Sequence, residues 1–96
     1  MSGGWTYILA NRRSGALYVG VTANLPARME QHRAGKGSAF CAKYGITRLV
    51  LVERHDRIED AIRREKLLKK WNRAWKLKLI EEENPDWRDL WFDLNA

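Results

Sequence analysis

The chain has 96 residues, 45% hydrophobic, 10% aromatic and 31% charged, and its 18 Lys and Arg outnumber 12 Asp and Glu for a net charge of +6. This length holds one domain and excludes a second, and the composition excludes a chain disordered throughout. No apolar run reaches the ~18–20 residues that span a bilayer, the N-terminus lacks the basic-then-apolar pattern of a secretory signal, and the single cysteine, Cys41, excludes an internal disulfide, so a cytoplasmic protein without a membrane partner is expected.

Residues 5–10 are rich in aromatic and β-branched types and predict a strand. Residues 11–15 are polar, end in Gly and predict a hairpin loop. Residues 16–21 predict the returning strand, antiparallel to the first. Asn24 caps a helix with Pro26 in its first turn, where a missing N–H costs nothing. That helix runs to about Arg33 and stops near Gly35. Residues 35–45 hold Gly35, Gly37, Ser38 and Gly45 and read as a loop with room for one helical turn. Residues 47–52 form a β-branched apolar run and predict a third strand. From Ile58 the spacing turns helical, with Ile58, Ala61 and Ile62 at i, i+3 and i+4. Leu67, Leu68, Trp71, Trp75, Leu79 and Ile80 carry the apolar content to about Glu83, in one bent helix or two joined near residues 71–73. Trp71 and Trp75 are expected in the core, and Asn84-Pro85 ends the run. The order β-β-α-β-α-α predicts an α+β fold: a three-stranded mixed or antiparallel sheet flanked by helices. One domain over residues 1–96 is expected, with a core at about 5–84 and a tail at 85–96.

Residues 1–56 hold 8 basic and 3 acidic side chains, residues 57–80 hold 9 and 3, and residues 81–96 hold 1 and 6. A basic body thus ends in an acidic tail. The body suits a polyanion, whose neutralised phosphates release counterions; the plain alternative is a solvated surface that happens to be basic. Trp87, Trp91 and Phe92 predict a tail packed onto the domain, and the tail could also serve a protein partner.

Some polar groups stand where the pattern calls for apolar ones. Leu25, Arg28, Met29 and His32 share one helical stripe. A cation there either snorkels over Met29 or wants an anion. Glu65 shares the face of Ile58, Ala61 and Ile62 and is surrounded by Arg63, Arg64, Lys66, Lys69 and Lys70. Either it pairs with Arg64 or Lys69, or it holds a cation such as Mg²⁺. Tyr7 and Tyr18 lie on facing strands, as a cross-strand aromatic pair or as ligands of phosphate and water. Gly20, inside a strand, marks a place where a backbone or ligand comes close. Lys36, Lys43, Arg48, Arg64 and Lys69 could extend a phosphate-contacting surface. Cys41 reads as an inert, half-buried thiol and His55 as a surface residue.

Together these residues resemble the GIY-YIG nuclease family. Its first motif reads here as Trp5-Thr6-Tyr7 and its second as Tyr18-Val19-Gly20; its helical arginine matches Arg28 and its metal-binding glutamate matches Glu65. The closing Asn84-Pro85-Asp86-Trp87-Arg88-Asp89-Leu90 is similar to the small single-domain branch related to the UvrC amino-terminal nuclease. The chain departs from the family in lacking Gly-Ile before Tyr7 and an asparagine a dozen or more residues after Glu65; Asn72 is too near and Asn84 too far.

The resemblance implies hydrolysis of DNA phosphodiesters with one divalent metal, Mg²⁺ or Mn²⁺, held by Glu65. It implies that Arg28 binds a non-bridging oxygen. Tyr7 would act as base and Tyr18 as a ligand of phosphate or water, and His32 would hold a phosphate or a water. A tyrosine with pKa ~10 needs a nearby cation, the metal or Arg28, to lower it. The expected protein is an endonuclease of low sequence specificity acting on duplex or branched DNA, in repair or recombination, as a monomer or weak dimer. Its rivals are a catalytically weak DNA- or RNA-binding module and an interaction protein using the tail.

Overall fold

The computed structural model describes residues 3–94. The chain runs β1 (Gly4–Ala10), β2 (Leu17–Thr22), α1 (Leu25–Arg33), α2 (Ala39–Tyr44), β3 (Arg48–His55), α3 (Ile58–Lys70), α4 (Arg73–Glu83) and a single turn, α5 (Trp91–Leu94). The sheet order is β2-β1-β3 with every pairing antiparallel, so the mixed alternative is not realised. The fold is α+β, as the element order predicts.

Alternation along β1 divides the molecule into two layers. Ile8 and Ala10, with Val19, Val50 and Leu51, face Leu68 of α3, Ile80 of α4 and Trp87. Tyr7 and Leu9, with Leu49, face Leu25 and Met29 of α1, Cys41 of α2 and Ile46. Val50 and Leu51 share a face because β3 carries one extra residue there: Ile8 pairs with Leu51 and Leu9 with Leu49. This bulge turns the Val50 carbonyl out of the ladder, and Asn84 Nδ2 donates to it at 3.1 Å.

Several expectations change. The third strand extends to His55, which pairs with Gly4 and meets Thr6 Oγ1 at 3.2 Å, so His55 is half-buried and structural. The segment read as a loop contains α2, started by Ser38 Oγ, which accepts from the Cys41 amide at 3.3 Å. Cys41 is fully buried, not half-buried, and burial raises its thiol above the ordinary range. The long helical run is two helices: α3 ends at Trp71, and Asn72 restarts the chain by accepting from the Trp75 amide at 2.9 Å. The break rephases the apolar face, so Trp71 packs against the core while Trp75 is 56% exposed. The tail packs onto the domain as expected, with Trp87 fully buried and Leu90, Trp91 and Leu94 beside the α1 layer, but Phe92, also expected to pack, is 68% exposed. Among the described residues no helix is long and apolar enough to cross a membrane.

Candidate active site

Tyr7 and Tyr18 come to one face because β1 and β2 are antiparallel neighbours, with Leu9 opposite Tyr18 and Tyr7 opposite Gly20. Their ring centroids are 6.5 Å apart. α1 crosses this face and adds His32, whose ring stands edge-on to both, 5.9 Å from Tyr7 and 5.5 Å from Tyr18. Tyr7 Oη and His32 Nε2 share a buried hydrogen bond of 3.1 Å. Tyr7 is 0% and His32 2% exposed, whereas Tyr18 and Arg28 are half-buried.

Two glycines make this closeness feasible. A Cβ on Gly20 would fall 2.4 Å from Cζ and Oη of Tyr7, so the strand position without a side chain is where the phenol lies. A Cβ on Gly37 would fall 2.5 Å from His32 Nδ1. Gly37 also fixes the arginine, since its carbonyl accepts from Arg28 Nη2 at 3.1 Å while Gln31 Oε1 accepts from Nη1 at 3.0 Å. Arg28 therefore does not simply snorkel over Met29; it is tied back towards the loop before α2, beside the phenols.

The electrostatics follow from burial and this one cation. Burial raises the Tyr7 phenol above its ordinary value, and the neighbouring Arg28 guanidinium opposes the rise without cancelling it. Of the two cations expected to lower Tyr7, the metal or Arg28, Arg28 by itself does not bring it below its ordinary value. Contact with the Tyr7 hydroxyl strengthens the hold of Arg28 on its proton. His32 is lowered, by burial first and by the Arg28 charge second, so it is neutral at neutral pH. His32 Nδ1 is buried with no hydrogen-bond partner. A buried N–H without an acceptor is rare, which favours the proton on Nε2, donated to Tyr7 Oη. That tautomer leaves the Tyr7 proton to another acceptor.

Glu65 stands apart from these four. α3 packs on the opposite face of β1, where Thr6 Oγ1 donates to the Ala61 carbonyl at 2.8 Å and Leu68 joins the Ile8 cluster. Glu65 lies on the same buried stripe as Ala61 and Leu68, 9% exposed, and takes Lys69 Nζ at 2.6 Å. It has no hydrogen bond or ion pair with Tyr7, Tyr18, Arg28 or His32. Three of the four segments expected to converge do so; the fourth faces the same two strands from the other side. Among the candidate phosphate contacts, Arg64 is engaged by Glu53 at 2.8 and 3.1 Å and lies over the Trp71 ring, and Lys69 is engaged by Glu65. Lys36 and Lys43 are exposed, the latter 5.4 Å from the Tyr44 ring centroid. Sequence reading missed Gly37 and Gln31, the anchors of Arg28. The Gly37-Ser38 pair was their only signal, and it reads equally well as an ordinary turn.

A model of the GIY-YIG catalytic domain matches residues 3–78. A UPF0213 protein of Staphylococcus haemolyticus is 43% identical over 74 residues, covering 73% of this chain and 85% of that protein. One from Syntrophus aciditrophicus is 36% identical over 87 residues, covering 90% and 98%. The solution NMR structure of a UPF0213 protein from Bacillus halodurans superposes with a TM-score of 0.57 at 28% identity, over 91% of this chain and 92% of that one. With its paired tyrosine strands, its arginine-bearing helix and this match over most of its length, the chain belongs to the GIY-YIG catalytic domain family, in the small branch that the UPF0213 proteins represent.

Proposed function

We propose that this protein is a divalent-metal-dependent endonuclease that hydrolyses DNA phosphodiesters with low sequence specificity, in repair or recombination. The observation that carries the proposal is the linked set of Tyr7, His32 and Arg28, with Tyr18 beside it: two phenols, a neutral imidazole and a fixed guanidinium on one sheet face. A half-buried guanidinium that is bonded to a carbonyl and an amide oxygen and, among the described residues, has no carboxylate partner is available to an anion. β2 is an edge strand, with the phenol layer on one of its faces and α3, the helix that carries Glu65, packed on the other.

Arg28 binds a non-bridging phosphate oxygen through its planar fork and stabilises the charge that grows there in the transition state. Tyr7 keeps its proton and, receiving a bond from His32, donates its own to a phosphate oxygen. Half-buried Tyr18 is the phenol that meets solvent, and it would orient the attacking water. Glu65 suits a metal held mainly by water and substrate, since Mg²⁺ is commonly bound through one or two carboxylates and keeps several waters. The described residues contain no cluster of three or more His, Cys, Asp or Glu that would make a protein cage. Its present partner, Lys69, is 53% exposed and easily displaced. A metal bound there supplies Lewis-acid stabilisation of the leaving oxygen.

The test is incubation with branched, single-stranded and duplex DNA in Mg²⁺, Mn²⁺ or EDTA, beside Glu65→Ala. We expect metal-dependent cleavage by the wild type and none by the variant, whose DNA binding stays intact or strengthens as a negative charge is lost. Wild-type cleavage by the variant refutes the metal role. A second reading, a DNA- or RNA-binding module on the same scaffold, is favoured by the asparagines: Asn72 caps α4 and Asn84 braces β3, so both are committed elsewhere. It predicts salt-dependent binding with no response to metal.

A further inference from the structure

The signature at residues 84–90 contributes nothing to the site by direct contact, yet its carboxylate joins two elements that bound the site. Asp89 Oδ1 accepts from the Leu49 amide at 3.1 Å and the Trp91 amide at 3.1 Å. Its Oδ2 is bonded to Arg33 Nη2. The Leu90 amide donates to the Leu49 carbonyl at 2.7 Å, so both backbone groups of Leu49 on the outer edge of β3 are taken by the tail. Arg48 Nη1 donates to the Trp87 carbonyl at 3.0 Å, which fixes the segment just before. Arg33 is also covered by aromatic faces, 4.9 Å from the Trp91 centroid and 5.6 Å from that of Phe92.

Arg33 is the last residue of α1 and the immediate neighbour of His32. α1 has nine residues, too few to be held by its own backbone bonds. Its buried contacts are Leu25, Met29 and His32, of which Leu25 secures the first turn. The last turn, which sets the height of His32 against Tyr7, is secured from outside by Arg33.

We propose that Asp89 is a positioning residue: it fastens the last turn of α1 to the edge of β3 and so holds His32 at bonding distance from Tyr7 and Arg28 beside the phenols. The acidic tail is thereby a strap across the catalytic helix. In its kinetic arm the proposal rests on the nuclease reading; its spectroscopic arm does not.

Two variants test it from opposite ends. Asp89→Asn keeps the side chain's shape and an acceptor for the Leu49 and Trp91 amides but removes the charge facing Arg33. Arg33→Gln removes the cation without touching β3, and it decides the matter where Asp89→Asn fails to fold. For each, the ring titration of His32 is followed by NMR, together with the melting temperature, kcat and KM. We expect the His32 midpoint to rise towards the ordinary histidine value as the ring gains water. We expect kcat to fall ~10-fold or more with KM nearly unchanged, as when a distant change shifts a reacting group. A His32 midpoint at the wild-type value in both variants, whatever the melting temperature, overturns the proposal; so does a moved midpoint with unchanged kcat. Absence of cleavage by the wild type refutes the nuclease reading instead, and the titration alone then decides whether Asp89 holds His32.

Discussion

Gly20→Ala places a methyl group where the Tyr7 phenol lies. The added carbon falls 2.4 Å from Cζ and Oη and 2.8 Å from Cε1, against about 3.4 Å for an ordinary contact, so the ring must retreat by about 1 Å. Tyr7 has no slack to do so: it is 0% exposed, packed among Leu9, Leu25 and Met29, and tied at 3.1 Å to His32. A retreat of that size breaks the hydrogen bond. Overpacking costs ~1–3 kcal/mol and the lost bond ~1 kcal/mol, or about 2–4 kcal/mol together. For a domain of this size each kcal/mol shifts Tm by ~4–8 °C, so a drop of about 8–32 °C is expected in a thermal melt followed by circular dichroism. Metal-dependent cleavage, measured well below the melt, falls ~10²-fold because the phenol is misplaced. The steric cause is checked by Gly20→Ala with Tyr7→Leu, in which the ring is gone and the penalties add to less than their sum. A Gly20→Ala protein with wild-type Tm and wild-type cleavage refutes the packing account of this glycine.

Arg28→Ala removes the guanidinium that faces both phenols; cleavage falls ~10²-fold or more, and the His32 midpoint rises because one cause of its depression is gone. An unchanged rate in a gel-based cleavage assay returns Arg28 to a structural role. Stability depends on pH through His32. Its folded pKa lies below the unfolded value of ~6.5, so the unfolded chain binds the extra proton between the two. The contribution is complete above pH ~6.5 and is lost as pH falls through that value towards the folded pKa. Urea melts from pH 7.5 to 5 show this decline, and His32→Gln flattens it; an equal slope in the variant excludes His32 as its source.

The fold was legible where side-chain period and turn chemistry act locally. The hairpin followed from the strand pattern on either side of residues 11–15, and α1 from the Asn24 cap, whose Oδ1 accepts from the Ala27 amide at 3.2 Å. The sequence also showed Arg28 and His32 as breaks in the apolar stripe of α1 and put Tyr7 and Tyr18 on facing strands, and the fold brings these four side chains together. What escaped depends on contacts distant in sequence. Trp75 is exposed because the break at residues 71–72, which the sequence left open as one bent helix or two, rephases the apolar face of α4. The Val50 carbonyl at the bulge is met by Asn84, 34 residues later, a contact no local pattern announces. The sign of the Tyr7 shift was not legible either: the sequence reveals a neighbouring cation but not complete burial, and burial is the larger effect.

The two sheet faces suggest a division of labour. The α1 face is rigid: its phenol, imidazole and guanidinium are held by Gly20, Gly37, Gln31 and, through Arg33, Asp89. The α3 face presents one mostly buried carboxylate whose partner is a flexible, half-exposed lysine one turn on. On the proposed reading, a phosphodiester would be recognised by the first and made reactive by the second, with Lys69 keeping Glu65 from standing as an unpaired buried charge until an ion replaced it. Lys69→Met should therefore tighten binding of Mn²⁺ measured without DNA, since the ion no longer competes with an ammonium group, while Arg28→Ala should leave it unchanged. Equal Mn²⁺ affinities in wild type and Lys69→Met would remove Glu65 from the metal site and leave the α1 face as an anion-binding surface alone.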